Sequence, residues 1–579
     1  MEAWFIIVVS ACVCVIVRAI FSLQTKTINT PPGPLHIPIL TSIQWLLKSF
    51  SQREPILRNL HAKFGPIVTI RIGSQPAIFI ANGTLAHQAL VQNGSLFSDR
   101  PKALATAKII TTHQHNINSA SYGATWRTLR RNLTSQILHH SRIKSFSGIR
   151  NWVLHTLLTH LKSHSHSNNS VRVIDHFQYS MFCLLVFMCF GERLDDGKVR
   201  DIERVQRQMV VRLKSFNILN FWPRVTRVLF RKLWEELLRL RKEQEDVLAP
   251  VIRARKQKRK QGKNEGVVSY VDTLLDLQWP EEKRKLNEEE IVTLCNEFLN
   301  AGTDTTSTVL QWIMANLVKY PHEQERVVDE IREVLGEREE REVKEEELQK
   351  LPYLKAVILE GLRRHPPGHF VLPHAVSEDV VFNDYLVPKN GTVNFMVAEM
   401  GWDPKVWEDP MAFKPERFMN DEGFDITGSK EIKMMPFGAG RRICPGYNLA
   451  LLHLEYFVAN LVWNFEWKAP EGGDVDLSEK QELTVVWEDP MAFKPERFMN
   501  DEGFDITGSK EIKMMPFGAG RRICPGYNLA LLHLEYFVAN LVWNFEWKAP
   551  EGGDVDLSEK QELTVVMKYP LQVHLSPRI

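Results

Sequence analysis

The sequence has little of what marks small secreted or nucleic-acid-binding proteins. Its 579 residues include only 7 cysteines, without dense even spacing and without a Cys-x-x-Cys pair. This pattern excludes a disulfide-stapled domain and a zinc site of the Cys-x-x-Cys type. A formal net charge of +2 gives no global reason to bind nucleic acid, so we predict no such partner. No Gly-x-Gly-x-x-Gly loop follows a strand, so electrons for redox chemistry have to come from a separate protein.

An apolar segment begins the chain. Residues 3–21 are apolar apart from Ser10 and Arg18, and about 20 such residues span a bilayer. Glu2 precedes the run and Lys26 follows it, which argues against a cleaved signal peptide and places the following body in the cytosol. We therefore predict a transmembrane anchor; the alternative is a buried core helix.

The rest of the chain is predicted to be rich in helix. Residues 67–73 and 77–80 have the composition of hairpin strands, and most later segments place apolar residues at three- and four-residue spacing. The predicted fold class is mainly α with small β-sheets (α+β). The predicted domains are the anchor at residues 1–23, a proline-rich linker at 24–40 and a catalytic domain at 41–579.

Three segments have biased composition. Residues 163–170 are rich in serine and histidine, residues 253–260 are basic and residues 337–347 are acidic. A basic run can bind nucleic acid, but behind a membrane anchor a solvated loop is the simpler interpretation. We interpret all three as connectors.

An exact tandem repeat occupies the C-terminal part of the chain. Residues 407–486 are identical to residues 487–566, an offset of 80 residues. Each copy contains the pattern Phe-x-x-Gly-x-Arg-x-Cys-x-Gly, with Cys444 in the first copy and Cys524 in the second.

This loop supplies what a haem-thiolate ligand requires. Gly440 and Gly446 permit backbone conformations and close approaches that a side chain would block. Phe437 can shield the sulfur of Cys444, and Arg442 can meet a haem propionate with fork geometry. A cysteinate ligand pushes electron density onto iron and favours O–O cleavage. The alternative is a turn with an inert buried cysteine. The matching positions in the second copy are Phe517, Arg522 and Cys524.

A long central helix carries a second candidate site. Asn287 is its predicted N-cap, with Glu290 as the capping-box partner. Within it, an Ala-Gly pair precedes Asp304 and Thr305 and leaves room for dioxygen. Thr305 can donate a hydrogen bond to that oxygen, and Asp304 can deliver protons from solvent. The alternative is a helix bend made by threonine back-bonding.

Two further pairs lie one helical turn apart. Glu360 and Arg363 form an i, i+3 pair that Arg417, or its twin Arg497, can complete to a Glu-Arg-Arg cluster. An isolated surface pair of this kind contributes little. The second pair, an indole and a guanidinium suited to a propionate, is Trp126 and Arg130.

Together these motifs resemble the cytochrome P450 family, of the microsomal plant type, and in particular the plant family numbered eighty-nine, subfamily A. The resemblance runs from the anchor to the C-terminus in the family's motif order. It implies the cytochrome P450 fold, with haem b (iron protoporphyrin IX) between the long central helix and the Cys-ligand loop.

The resemblance also assigns roles by position. It implies that Asp304 and Thr305 activate oxygen and that Cys444 or Cys524 is the iron ligand. Substrate-facing segments correspond to residues 101–121, 296–305, 367–372 and 483–486. The residues implied to contact the haem are Trp126, Arg130, His374, Phe437, Gly440, Arg442, Gly446, Phe517 and Arg522.

The repeat leaves open whether Cys444 or Cys524 is the iron ligand. The other motifs occur once, so we predict one haem per chain. Folding during synthesis presents Cys444 first, whereas Cys524 is contiguous with the final strand, predicted at residues 567–575.

The resemblance implies a monooxygenase that inserts one atom of dioxygen into a lipophilic small molecule, with electrons from NADPH-cytochrome reductase. It implies a single-pass protein of the endoplasmic reticulum membrane with its catalytic domain facing the cytosol. A haem-thiolate isomerase or dehydratase is the first alternative, which the intact Asp304 and Thr305 argue against. The second alternative is a non-functional product of the duplication.

Overall fold

A computed structural model describes most of the chain up to residue 469. The described residues are 30–34, 45, 50–72, 75–165, 172–262, 266–336, 342–389, 391–419, 423–469, 475, 477 and four short strands after residue 544. The chain divides into two compact units, residues 1–482 and 483–579, and each is described by itself. The predicted anchor at residues 1–23 lies outside the described residues.

The first unit is dominated by helices. Their bounds are α1 Phe50–Phe64, α2 Gly83–His87, α3 Ala105–Ile110, α4 Ala124–Gln136, α5 His140–Ser145, α6 Ser147–Ser165, α7 Val173–Phe190, α8 Asp196–Phe216, α9 Pro223–Leu229, α10 Arg231–Lys260, α11 Tyr270–Asp276, α12 Glu288–Lys319, α13 Pro321–Leu335, α14 Pro352–Arg364, α15 Val397–Gly401 and α16 Tyr447–Asn464. A π-helical turn, Gln88–Gln92, continues α2.

The strands form small sheets. Those of the first unit are β1 Ile67–Ile72, β2 Gln75–Ile80, β3 His374–Ala375, β4 Val380–Phe382, β5 Tyr385–Val387 and β6 Thr392–Phe395. One sheet has the order β1-β2-β6-β3, in which β2 and β6 run parallel, and β4 pairs with β5. The predicted hairpin is confirmed, because β1 and β2 pair antiparallel from Ile67 opposite Ile80 to Ile72 opposite Gln75. The fold class, mainly α with small β-sheets, is confirmed too.

Helix α12 crosses the centre of the largest apolar cluster. It begins at the capping box that the sequence predicted: Asn287 Oδ1 accepts from Glu290 N, and Glu290 Oε2 accepts from Asn287 N, both at 2.8 Å. Helices α7 and α16 pack against it. Of the described helices, α7 is the one long and apolar enough to cross a membrane, but 56% of that stretch is buried, as in a core helix.

The interpretation of residues 253–260 as a connector is wrong. They form the last turns of α10. Several of their cations pair with carboxylates elsewhere in the fold, which reduces the like-charge repulsion that a free basic run would have. Arg255 Nη2 lies 2.6 Å from Asp272 Oδ2 in a buried pair, and Arg253 Nη2 lies 2.6 Å from Glu288 Oε1.

The two copies of the repeat adopt different structures where both are described. In the first copy, Trp467 N donates to Gln324 Oε1 at 2.9 Å, and residues 465–468 form no strand. The identical letters of the second copy form β7, Phe545–Lys548. The chain's last strand pairs with β7 and therefore with the second copy. The strands of the second unit are β7, β8 Glu559–Gln561, β9 Val565–Met567 and β10 His574–Pro577, paired as β7 with β10 and β8 with β9.

Deletion of residues 487–566 tests whether the second copy is dispensable. It removes a duplicate apolar sequence whose packing partners exist once in the chain, so we expect unchanged haem content, an equal or higher Tm and less aggregation. Thermal unfolding and light scattering of the deleted and full-length proteins measure this. A lower Tm, or loss of haem, in the deleted protein contradicts the expectation.

Candidate active site

The loop around Cys444 is closed by backbone hydrogen bonds. Cys444 N donates to Phe437 O at 2.8 Å, and Gly438 N donates to Met435 O at 3.0 Å. The Gly446 N–H donates to the Cys444 sulfur. Burial raises the pKa of the Cys444 thiol, while this N–H and the Arg130 guanidinium oppose the rise. The thiol therefore lies where a cationic partner can stabilise a thiolate.

Gly440 is required at its position by space and by backbone conformation. Its φ is +66°, and a Cβ built there would lie 2.0 Å from Leu90 O in the π-helical turn Gln88–Gln92. The loop thus rests directly on the backbone of a distant element. Since Leu90 occurs once in the chain, this contact belongs to the first copy of the repeat.

Three guanidiniums gather beside the loop. Arg130 Nη2 donates to Ile443 O at 2.7 Å. Arg442 donates to the carbonyls of residues 98, 117 and 120 at 2.9, 3.1 and 2.6 Å. Arg100 donates to the carbonyls of residues 118, 372 and 373 at 2.8, 2.7 and 2.9 Å. Burial lowers the pKa of Arg442 to about 9, with Arg100 and Arg130 adding to the fall, and lowers that of Arg100 to about 10.

Trp126 and His374 complete this cationic region. The Arg442 guanidinium lies 4.5 Å from the Trp126 ring centroid and that of Arg130 lies 5.4 Å away. The indole Nε1 of Trp126 is buried without a hydrogen-bond acceptor. His374 Nδ1 donates to Phe97 O at 2.7 Å, and burial together with Arg100 lowers the pKa of His374 to about 3, so its ring is neutral.

These features fit a planar, acidic cofactor. An orphaned buried N–H on Trp126, and an Arg442 whose pKa is lowered by burial and by the charges of Arg100 and Arg130, both favour binding of an anion. Arg100, Arg130, Arg442 and Trp126 could hold its carboxylates, and Cys444 could hold its metal. The region thus defines a haem-thiolate protein.

The Glu-Arg-Arg cluster is present and buried. Arg363 Nε and Nη2 donate to Glu360 Oε2 and Oε1 at 2.7 and 2.8 Å, and both side chains are 0% exposed. Arg417 Nε lies 3.4 Å from Glu360 Oε1, which also accepts from Lys414 N at 2.8 Å. Arg363 further donates to the carbonyls of residues 401, 410 and 412. The cluster fixes the segment that leads to the cysteine loop.

Asp304 and Thr305 lie on one face of α12 with Ala301. From Glu290 to Leu310, the exposed side chains are Ala301 and Thr305. The Thr305 hydroxyl donates to Ala301 O at 2.7 Å, so the back-bond that the sequence left as an alternative is present. Burial raises the pKa of Asp304, which Arg207 partly offsets.

Sequence analysis singled out neither Arg100 nor Glu297, although Glu297 lies within the predicted substrate-facing segment 296–305. Arg100 follows Asp99 and precedes a proline, with no spacing that connects it to the loop. Glu297 lies one turn before Ala301 and looks like an ordinary helix residue. Four predicted site residues lie outside the described residues: Arg497, Phe517, Arg522 and Cys524.

Comparison with known proteins identifies the family. The family model described as Cytochrome P450 matches residues 31–487 and, a second time, residues 483–575. The chain belongs to the cytochrome P450 family.

Named relatives support the same assignment. The chain is 51% identical over 500 residues to Cytochrome P450 89A9 of Arabidopsis thaliana, covering 84% of this chain and 97% of the relative. It is 31% identical over 488 residues to geraniol 8-hydroxylase of Catharanthus roseus, covering 82% and 95%. It is 31% identical over 477 residues to salviol synthase of Salvia pomifera, covering 80% and 92%. The predicted resemblance to a P450 of the 89A type is confirmed.

Solved structures share the fold. A zebra fish cytochrome P450 with abiraterone superimposes with a TM-score of 0.60 at 24% identity, covering 74% of this chain and 96% of that one. Family and relatives together make the protein a haem-thiolate monooxygenase with a lipophilic substrate, dioxygen and a redox partner. They do not favour the isomerase, dehydratase or non-functional alternatives.

Gly440→Ala tests the close approach of the cysteine loop to Leu90. We expect a loss of about 2–6 kcal/mol in the free energy of unfolding, from left-handed strain and the 2.0 Å contact. Gly262→Ala is the control, because Gly262 has φ +65° with nothing within 4 Å of its Cβ position, and positive-φ strain alone costs about 1–2 kcal/mol. Equal losses in the two variants would contradict the contact's importance.

Glu360→Ala tests the buried cluster. Removing one partner leaves the Arg363 charge buried and uncompensated, so we expect the free energy of unfolding to fall by about 3–5 kcal/mol. Glu235→Ala, which removes the exposed partner of Arg231, is the control and should have no measurable effect. Denaturant unfolding of both variants gives the comparison; a near-neutral Glu360→Ala would show that the cluster is dispensable.

Proposed function

We propose that this cytochrome P450 binds one haem through Cys444, receives electrons from NADPH-cytochrome reductase and acts at the endoplasmic reticulum membrane as a single-pass protein whose catalytic domain faces the cytosol. The observation that carries the proposal is the contact of the first-copy loop with elements that occur once. Gly440 meets Leu90, and Arg442 binds the carbonyls of residues 98, 117 and 120. Cys524 would need the same single partners.

The roles of the cofactor and its neighbours follow from the site's charges. The haem iron supplies dioxygen activation and transfer of one oxygen atom to the substrate. Arg100, Arg130, Arg442 and Trp126 would hold the propionates, while the neutral His374, whose Nδ1 donates to Phe97 O, lies close enough to Arg100 and Arg442 for their charges to lower its pKa. These donors position the cofactor because their remaining bonds to backbone carbonyls fix them in place.

Asp304 and Thr305 are the proposed residues for proton delivery. A carboxyl whose pKa is raised by burial holds a proton closer to neutral pH and can donate it. Gln178 Nε2 donates to Asp304 Oδ1 at 3.4 Å, and Arg207 Nη1 donates to Gln178 Oε1 at 3.0 Å, so this acid is connected to the exposed side of α8. Thr305, whose exposed hydroxyl lies on the same turn and donates to Ala301 O, would donate a hydrogen bond to dioxygen in this site.

Exposed cations near the cysteine loop support a reductase partner. Arg127, Arg131 and Arg441 are exposed, and both Arg127 and Arg441 approach the ring of Tyr122, at 5.6 and 5.4 Å. A cationic surface of this kind steers an acidic electron donor toward the thiolate side of the site.

An exposed apolar patch supports membrane association in addition to the predicted anchor. It surrounds α9, between the end of α8 and the start of α10. Such a concentration of exposed apolar side chains is costly in water and favourable in a lipid surface. Its most exposed members are Trp222 at 74%, Val228 at 78% and Leu229 at 70%.

The reduced, carbon-monoxide-bound spectrum tests the assignment of Cys444. We expect a thiolate-type Soret shift in the parent and in Cys524→Ala, and its loss in Cys444→Ala, since the partners of the first-copy loop occur once in the chain. Total haem is measured alongside, so that loss of ligand is separated from loss of folding. Loss of the shift in Cys524→Ala with retention in Cys444→Ala reverses the assignment.

Thr305→Ala tests proton management with NADPH and purified NADPH-cytochrome reductase. We expect more peroxide released per NADPH consumed, because loss of one positioned donor lowers the rate of the productive reaction by roughly a hundredfold at the low end of such effects. Thr305→Ser, which keeps the hydroxyl, is the matched control and should stay near the parent. An unchanged peroxide yield in Thr305→Ala would contradict the role of the hydroxyl.

A further inference from the structure

Glu297 connects the central helix to a distant loop. It lies on α12, one turn before Ala301 and two before Thr305. Its carboxylate accepts two backbone N–H groups, Ile117 N at 2.8 Å on Oε2 and Asn118 N at 2.6 Å on Oε1. These residues belong to the segment 101–121 that is predicted to face the substrate. We call this pair of bonds the Glu297 clamp.

The same two peptide units are held from the other side by cations. Ile117 O accepts from Arg442 Nη1 at 3.1 Å, and Asn118 O accepts from Arg100 Nε at 2.8 Å. Each of the two residues therefore gives its N–H to Glu297 and its carbonyl to a guanidinium. Arg442 and Arg100 are also the guanidiniums that face the proposed propionate site.

The pKa of Glu297 depends on the charges of Arg100 and Arg442, which face the proposed propionate site. Burial raises the pKa of Glu297 to about 7, against the two N–H bonds and the Arg100 and Arg442 charges, which lower it. Tyr270 on α11 faces it as well, with a pKa raised by burial and by the Glu297 charge. Asp99 faces both guanidiniums.

We propose that Glu297 is a positioning residue that ties the substrate-facing segment at residues 117–118 to the central helix and to the two guanidiniums of the cofactor site. The ordering of residues 117–118 and the reduction state of the cofactor would then both depend on the charge of the Glu297 carboxylate. The proposal rests on the proposed placement of the haem carboxylates at Arg100 and Arg442.

Two consequences separate this role from ordinary packing. The amides of Ile117 and Asn118 owe their protection to Glu297, because it is their acceptor. The negative charge of Glu297 also opposes addition of an electron to a cofactor held by Arg100 and Arg442. Reduction and protonation of Glu297 then favour each other, so the reduction potential should fall as pH rises through about 7.

Amide exchange of the haem-loaded full-length protein tests the clamp. In Glu297→Gln the amide group accepts one N–H and presents a donor to the other, so we expect exchange of the amides of Ile117 and Asn118 to be about ten- to a hundredfold faster. Glu288→Gln, on the exposed first turn of the same helix, is the matched control and should leave this segment as in the parent. Unchanged protection in Glu297→Gln overturns the clamp.

Spectroelectrochemical titration between about pH 6 and pH 8 tests the link to charge. The potential of the parent should fall with rising pH, and that of Glu297→Gln should be flat. Glu297→Asp keeps the carboxylate but withdraws it by one methylene, so it should keep the pH dependence while losing amide protection. A parent-like slope in Glu297→Gln overturns the link.

The carbon-monoxide spectrum of each variant distinguishes a failure of the proposed function from a failure of the role proposed for Glu297. A parent protein without the thiolate-type shift contradicts the proposed function itself. A normal shift in every variant, with unchanged exchange and unchanged slope in Glu297→Gln, contradicts only the role of Glu297.

Discussion

The structure depends on one buried ion pair, Glu360 with Arg363. Arg363 donates two hydrogen bonds to the carboxylate of Glu360. The two side chains also form hydrogen bonds with the backbone that leads to the ligand loop, from residue 401 to Lys414. Taking two charges out of water is expensive unless every donor and acceptor is used. Here the desolvated pair is offset by backbone bonds. These bonds connect the irregular segment at residues 401–414 to helix α14.

The ligand loop that follows is fitted to parts of the chain far away in sequence. Gly440 rests on Leu90, Arg130 holds Ile443 O, and Arg442 holds the carbonyls of residues 98, 117 and 120. The charges of Arg100 and Arg130 lower the pKa of Arg442, so an anion beside these three guanidiniums would be stabilised. The carboxylate of Glu297 connects this charged region to the central helix through its bonds to the backbone of residues 117 and 118.

Local patterns in the sequence predicted the features that depend on neighbours along the chain. The capping box at Asn287, the hairpin of β1 and β2, and the one-turn pair Glu360–Arg363 are of this kind. The roles of Arg100 and Glu297 could not be predicted from spacing, because their partners are 18 to 273 residues away. The helical state of residues 253–260 was hidden by like charges, whose partners lie on other helices.

The structures of the two repeat copies could not be predicted from the sequence. Two identical sequences have the same local secondary-structure propensities. Which structure each copy adopts is therefore determined by its tertiary contacts. The first copy supplies the loop and α16 of the core, while residues of the second copy form β7 and pair with the chain's last strand. Identical letters thus take different structures because the partners of the fold exist once.

Our central claim is that the chain, although it carries two copies of the ligand loop, has one cofactor site, which the first copy forms. The most direct measurement is the amount of haem, by pyridine haemochromogen, per mole of purified full-length chain determined by amino-acid analysis. The account predicts one haem per chain. Two haems per chain, or none in a monomeric and cooperatively folding protein, would contradict it.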